Sequence, residues 1–298
     1  MNNWFKNAKG QVRSGWKIAL AFGLMAIMTV FFSFIFILVL IIFEGTTSLD
    51  ELMKNQNTNV LLMLSQLLAV VGTITIFLAI EKRKWKDIGM TSLRNQGGHL
   101  LFGLFLGAVS IVFIALIMMA TRQITIEPVN VTSQLLTEIG LYFIGFIFVA
   151  INEELFFRGY IVSTLKQTKS IPIMYIVSSI IFGLAHIANP NVHLLGIVNI
   201  FLIGLLFAYM FIQTKSLWMT MGYHFTWNFF QGNILGFNVS GEDGNGFFHI
   251  KSADNIWTGG SFGIEASIWT TVFIVLGFLI TKFYIGKFDA SPSYDQRA

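Results

Sequence analysis

No cysteine occurs in this chain. That excludes disulfides, a thiolate metal site and a cysteine nucleophile. Charge is scarce too. Only 11% of the 298 residues are Asp, Glu, Lys or Arg, against about 25% in an ordinary soluble domain. The lysines and arginines flank apolar stretches and form no separate basic face, so nucleic acid is excluded as a partner. Internal repeats and linkers are also missing. One integral membrane domain over residues 1–298 is therefore expected.

What the chain does have is apolar length. Hydrophobic residues make up 55% of it, with 31 Phe. A bilayer core needs roughly 20 apolar residues per helix. Eight stretches qualify as candidates: Ile18–Phe43, Val60–Ile80, Leu100–Ala120, Ile139–Leu165, Ile171–Ile187, Leu194–Ile212, Leu217–Phe237 and Ile264–Ile285. The first has 26 residues without a charge. That is too long for a signal-peptide core, and it reads as a retained span. The fold class expected is all-α: a polytopic bundle of eight transmembrane helices.

Positive charge fixes the orientation. With both termini cytoplasmic, sixteen Lys and Arg fall on the inner side, including Lys82, Arg83, Lys84 and Lys86, and three on the outer side: Lys54, Arg122 and Lys251. A miscounted span would scramble that asymmetry. The segment 238–262 is rich in Gly, Asp and Asn and is expected to be an irregular outer loop.

Polar residues inside the spans are costly, roughly 2.5–3.5 kcal/mol for a carboxylate at mid-helix on insertion scales. Three clusters carry that cost. The first is Glu153-Glu154-x-x-x-Arg158. Glu154 and Arg158 are spaced i,i+4 and face each other on a helix. Glu153 points about 100° away and is left available as a general base. A structural ion pair between helices would need one glutamate, not two. The second cluster is Phe182-x-x-x-His186, in which the Phe shields the imidazole from lipid. The third is His224-x-x-x-Asn228, with both polar groups on one face among aromatic residues. A polar clamp between helices explains either histidine alone, but not both together with a spare glutamate. Helical rise places Glu153, His224 and His186 at depths that differ by about 10 Å. A tilt, or a fifth span that breaks or bends inward, is needed to bring them together. His99, His193 and His249 are weaker candidates.

Taken in order, these three motifs resemble those of the CAAX-protease and bacteriocin-processing family (CPBP, or Abi), which includes the type II prenyl-protein endopeptidases. The resemblance covers residues 139–232. It implies a helical bundle whose active site opens from the membrane, and endopeptidase activity on membrane-associated peptides or proteins. It also implies roles. Glu153, aided by His186, would activate the attacking water. His224 and Asn228 would stabilise the oxyanion, and Glu154, Arg158 and Phe182 would support the site. The family has also been read as zinc metalloproteases; His186, His224 and one of Glu153 or Glu154 would then be the ligands, with Zn2+ as cofactor. No His-Glu-x-x-His helix is present, and Asn228 suits an oxyanion better than a metal. The metal-free site is therefore the expectation.

Two other classes compete. One is a non-catalytic membrane scaffold or immunity protein; its sign would be lost motif residues, and none is lost. The other is a proton-coupled carrier, which the chain's lack of paired interrupted helices disfavours. Short loops resemble bacterial members, so a bacterial plasma membrane is the expected location. The expected partners are the lipid bilayer and a membrane-anchored substrate.

Overall fold

The computed structural model describes residues 4–45, 48, 51–52 and 56–288. Lys54 and Arg297, used above for orientation, lie outside the described residues. The principal helices are α1 (Ser14–Glu44), α2 (Gln56–Glu81), α3 (Leu93–Ala120), α4 (Ser133–Glu153), α5 (Ile171–Ala185), α6 (Leu194–Thr214), α7 (Trp218–Phe229) and α8 (Ile268–Phe288). Six helical stretches are long and apolar enough to cross a membrane. Two fall short: α5 has 15 residues and α7 has 12. Residues such as Ile27, Phe31, Phe34 and Phe283 are exposed on the outside of the bundle. An apolar exterior suits lipid and not water.

Helix α4 does not stop at Glu153. It continues as a π-helix over Glu154–Val162, then through Ser163–Leu165 and a 3-10 turn, Lys166–Thr168. All nine π residues are buried. This segment touches α2, α5, α6 and the 3-10 turn Trp85–Ile88, and so occupies the centre of the bundle. Long π stretches are rare, and single π turns tend to mark functional sites.

Local signals explain the boundaries. Thr132 caps α4 by accepting from the Leu135 amide at 3.1 Å. Ser170 caps α5, and Pro172 sits in the first turn, where its missing N–H costs nothing. Helix α5 ends at Ala185, two residues short of the expected Ile187. Pro190 closes the chain's route to further helix. Likewise α7 gives way at Phe230 to a π turn, Phe230–Ile234, inside the expected span Leu217–Phe237.

The chain is mostly helical, as expected, with one short strand pair beside the helices. Strands β1 (Ile124–Pro128) and β2 (Phe248–Ser252) pair antiparallel, from Ile124 opposite Ser252 to Pro128 opposite Phe248. Lys251 Nζ donates to Glu127 Oε1 at 2.7 Å and holds that exposed carboxyl below its usual range. The segment 238–262 is thus partly ordered as a strand. Its partner lies some 120 residues earlier in sequence, so no local hairpin pattern announced it.

The closest helix crossing is α3 on α7. Gly103 and Gly107, one turn apart, lie directly against the Met219 and Tyr223 carbonyls. A Cβ on Gly222 would come within 2.7 Å of the Leu100 carbonyl oxygen. Small residues at i,i+4 let membrane helices approach this closely. Thr226 Oγ1 then donates across the gap to the Leu104 carbonyl at 2.9 Å. We expect Gly107→Leu to force the helices apart, at a cost of about 1–3 kcal/mol or more, read as a lower thermal midpoint in detergent. Gly97→Ala, on the same helix with no atom within 4 Å of the new methyl, is the control. Equal midpoints for the two variants would refute the close crossing.

Candidate active site

The three motifs meet at the carboxylate of Glu153. Its Oε2 lies 3.9 Å from His186 Nε2 and 3.8 Å from His224 Nε2. The three side chains meet despite the difference in depth that helical rise predicts, with His186 at the end of α5. His186 is the first residue past that helix, not a residue within it. Its ring stays against the helix end, with Nδ1 donating to the Phe182 carbonyl at 2.8 Å. That carbonyl is one of the acceptors a helix C-terminus leaves open. The Phe182 ring meets the imidazole edge-on, with centroids 4.7 Å apart, as expected for the i,i+4 pair.

Both histidines are oriented through Nδ1. A carbonyl can only accept, so Nδ1 of His186 carries the proton and Nε2 faces Glu153. His224 Nδ1 donates to Glu154 Oε1 at 3.0 Å, which turns its Nε2 toward Glu153 as well. Glu154 is fully buried and its Oε1 also accepts from Arg158 Nη1 at 2.9 Å. The guanidinium lies 4.0 Å from the Phe182 ring centroid and 5.0 Å from that of Phe207. Arg158 is thus held by one carboxylate and two aromatic rings, the geometry that suits a weakly hydrated planar cation.

Asn228 stands one turn after His224. It is buried, and among the described residues its side chain has no hydrogen-bond partner. Glu153, His186, His224 and Asn228 all line one cavity of about 1130 Å³. Glu153 Oε2 is buried without a hydrogen-bond partner. The 3.8 and 3.9 Å gaps around it exceed a direct hydrogen bond. Every residue expected at the site is therefore gathered there, with Glu154, Arg158 and Phe182 behind the reactive face.

Zinc fits this donor set poorly. Tetrahedral zinc with bonds near 2.0 Å brings its ligand atoms to about 3.3 Å from one another. The Glu153–histidine separations are wider, and Glu154 Oε1 is taken by Arg158 and His224. Among the described residues, no three His, Asp or Glu side chains form a group able to hold a metal ion.

Residues 135–230 match the model of the family described as type II CAAX prenyl endopeptidase Rce1-like. Over these residues the chain is similar to the CAAX-protease (CPBP) family. All three motifs lie within the match, which covers about a third of the chain. No curated protein and no solved structure matches the chain. Its apolar helices and this match together mark an integral membrane protein with a core similar to that family.

Sequence reasoning passed over Glu265. It lines the same cavity, is buried, and lies outside the family match. The signal was a carboxylate near the start of the expected span Ile264–Ile285.

Removing Arg158 leaves Glu154 as an unbalanced charge in the core, at a cost of about 3–5 kcal/mol. Arg158→Ala should therefore lower both the amount of protein in membranes and its thermal midpoint in detergent. Wild-type values for both would show that Glu154 does not depend on Arg158.

Proposed function

We propose that this protein is an intramembrane endopeptidase that hydrolyses membrane-associated peptides or proteins without a metal. The observation that carries the reading is the meeting of two histidine Nε2 atoms on one unpartnered carboxylate oxygen. A water among these three groups can donate to Glu153 and to His186. Glu153 takes its proton as the oxygen attacks the substrate carbonyl carbon. The carbonyl π bond breaks and its electron pair moves to oxygen. His224, through Nε2, and Asn228, through its amide, then donate to that oxyanion. The proton held by Glu153 passes to the departing amine, the C–N bond breaks, and the carboxylate is restored.

The second glutamate has a place in this scheme. For His224 to donate from Nε2 while Nδ1 donates to Glu154, the ring must carry both protons. Glu153, Glu154, Arg158 and doubly protonated His224 then sum to zero charge. A neutral cluster is what a low-dielectric site tolerates. Without Arg158 and Glu154 together, the oxyanion donor would lack either its proton or its balance.

In our reading the chain crosses the bilayer eight times with both ends cytoplasmic, α5 and α7 being short crossings around the cavity. The membrane is a bacterial plasma membrane. Substrates reach the cavity as extended segments tethered by a lipid or a helix, because an unwound backbone at that depth must be satisfied by protein.

Two outcomes test the chemistry. Glu153→Gln should lower cleavage about a hundredfold or more, with normal accumulation, and fragments with ends near a membrane anchor should vanish from cells expressing it. Identical peptide profiles would favour a scaffold that binds without cutting. Asn228→Ala should lower kcat about 10²–10³-fold with KM little changed. For the metal question, activity should survive 1,10-phenanthroline, and inhibition reversed by added zinc would overturn the metal-free assignment.

A further inference from the structure

The cavity is strongly one-sided in charge. Glu153, Glu242, Asp243 and Glu265 line it, and no lysine or arginine is among the described residues that do. Glu153 belongs to the hydrolytic cluster. Glu242 and Asp243 are exposed at the loop end of the cavity. Glu265 is the unusual one. It sits in the turn Ile264–Ala266 before α8 and is only 8% exposed.

Its carboxylate is held entirely by neutral donors. Oε2 accepts from the Ser240 amide at 2.6 Å and from Gln231 Nε2 at 3.1 Å, and Oε1 accepts from Ser240 Oγ at 3.0 Å. Among the described residues no lysine or arginine pairs with it. His186 is near enough for a charge on its imidazole to act on Glu265, but its Nδ1 is engaged by the Phe182 carbonyl and no hydrogen bond joins it to Glu265. A buried carboxylate without a cation is costly. A staple for the 238–241 loop would not need the charge: a glutamine could accept from the Ser240 amide and Gln231 Nε2 through its oxygen and donate to Ser240 Oγ through its amide.

A second observation points the same way. Asn233, 2% exposed, lines the same cavity. Its Nδ2 donates to the Asn245 carbonyl at 2.9 Å, which leaves Oδ1 as an acceptor, and that oxygen has no partner. Gln231 Oε1, beside Glu265, is likewise a buried acceptor without a donor. This end of the cavity holds negative charge and open acceptors. What it lacks is a cationic donor.

We propose that the loop end of the cavity is a specificity site for a cationic group on the substrate, a lysine or arginine side chain or the α-ammonium, with Glu265 as its charge partner. The inference rests on the peptidase reading for its role and can be tested apart from it. Full-length Glu153→Gln protein in lipid nanodiscs is titrated with palmitoylated fluorescent peptides of Ala, Leu and Ser. Each carries one lysine, norleucine or glutamate, placed at every position in turn, with the N-terminus acetylated; a norleucine peptide with a free amine separates side chain from terminus. Lysine or the free amine should bind about tenfold more tightly than norleucine at one or two adjacent positions, and glutamate more weakly. Adding Glu265→Gln should remove the preference. If that variant fails to accumulate, the exposed pair Glu242→Gln/Asp243→Asn should reduce it without threatening the fold. Equal binding of lysine and norleucine at every position, or a preference that survives both changes, overturns the proposal. Wild-type protein given the best-bound peptide separates the two readings. Selective binding without cleavage removes the peptidase and keeps the cation site, whereas cleavage without a preference for lysine does the reverse.

Discussion

One oxygen atom organises the centre of this molecule. Glu154 Oε1 accepts from Arg158 Nη1 and from His224 Nδ1, at 2.9 and 3.0 Å. Arg158 in turn lies against Phe182 of α5 and Phe207 of α6. A single buried charge pair thus joins the extension of α4 to α5, α6 and α7. Water cannot compete for these bonds, so each is strong, and each partner lost is costly. The arrangement also sets which face of His224 looks into the cavity. The His224 imidazole is thus oriented by Glu154, which does not itself line the cavity.

The π-helix makes that junction possible. Glu153 is the last residue of α4 and Glu154 the first of the π segment. The wider i→i+5 turn changes the angle between successive side chains just where two adjacent glutamates must point to different tasks. Glu153 enters the cavity while Glu154 goes to the hub. A wider helix also presents more surface, and this one is buried on every side, with Phe156, Phe157, Tyr160 and Ile161 packed around the charge pair. Gly159 lets the segment approach the turn Trp85–Ile88, where an added methyl would sit 3.1 Å from the Ile88 carbonyl oxygen.

The sequence made the candidate site legible because polar residues in apolar helices have few innocent explanations. The spacings Glu154–Arg158, Phe182–His186 and His224–Asn228 are each one helical turn, and each pair shares a face in the structure. Depth was harder to read. Counting rise along each span put His186 too far from the others, because rise says nothing of how helices tilt and stagger against one another. The π segment has no sequence signature of its own; its register follows from packing on four neighbours. Gly103-x-x-x-Gly107 was readable as a close-approach motif, but not its partner surface on α7. The strand pair escaped because its ladder joins distant segments. Glu265 escaped because, at the edge of an apolar run, no polar partner at helical spacing marks it.

The polar lining beyond the motifs follows from the same constraint that makes the hub strong. A peptide drawn into a cavity among membrane helices loses its water, and every exposed N–H and C=O must find a partner. The walls here carry Asn59, Gln66, Asn152, Asn189 and Asn199. Some of these are already engaged: Asn152 Nδ2 donates weakly to Gln66 Oε1 at 3.4 Å, and Asn199 Nδ2 donates to the Glu265 and Ser267 carbonyls. Amides carry both donor and acceptor, so such a wall can match an extended backbone without matching its side chains. On the proposed reading, hydrolysis then has two separable requirements. The amide wall accepts any segment that can unwind, which is permissive. Selection must come from elsewhere in the cavity, from groups whose needs a backbone cannot meet. An uncompensated charge is such a group, since no peptide N–H supplies the full positive charge that it lacks.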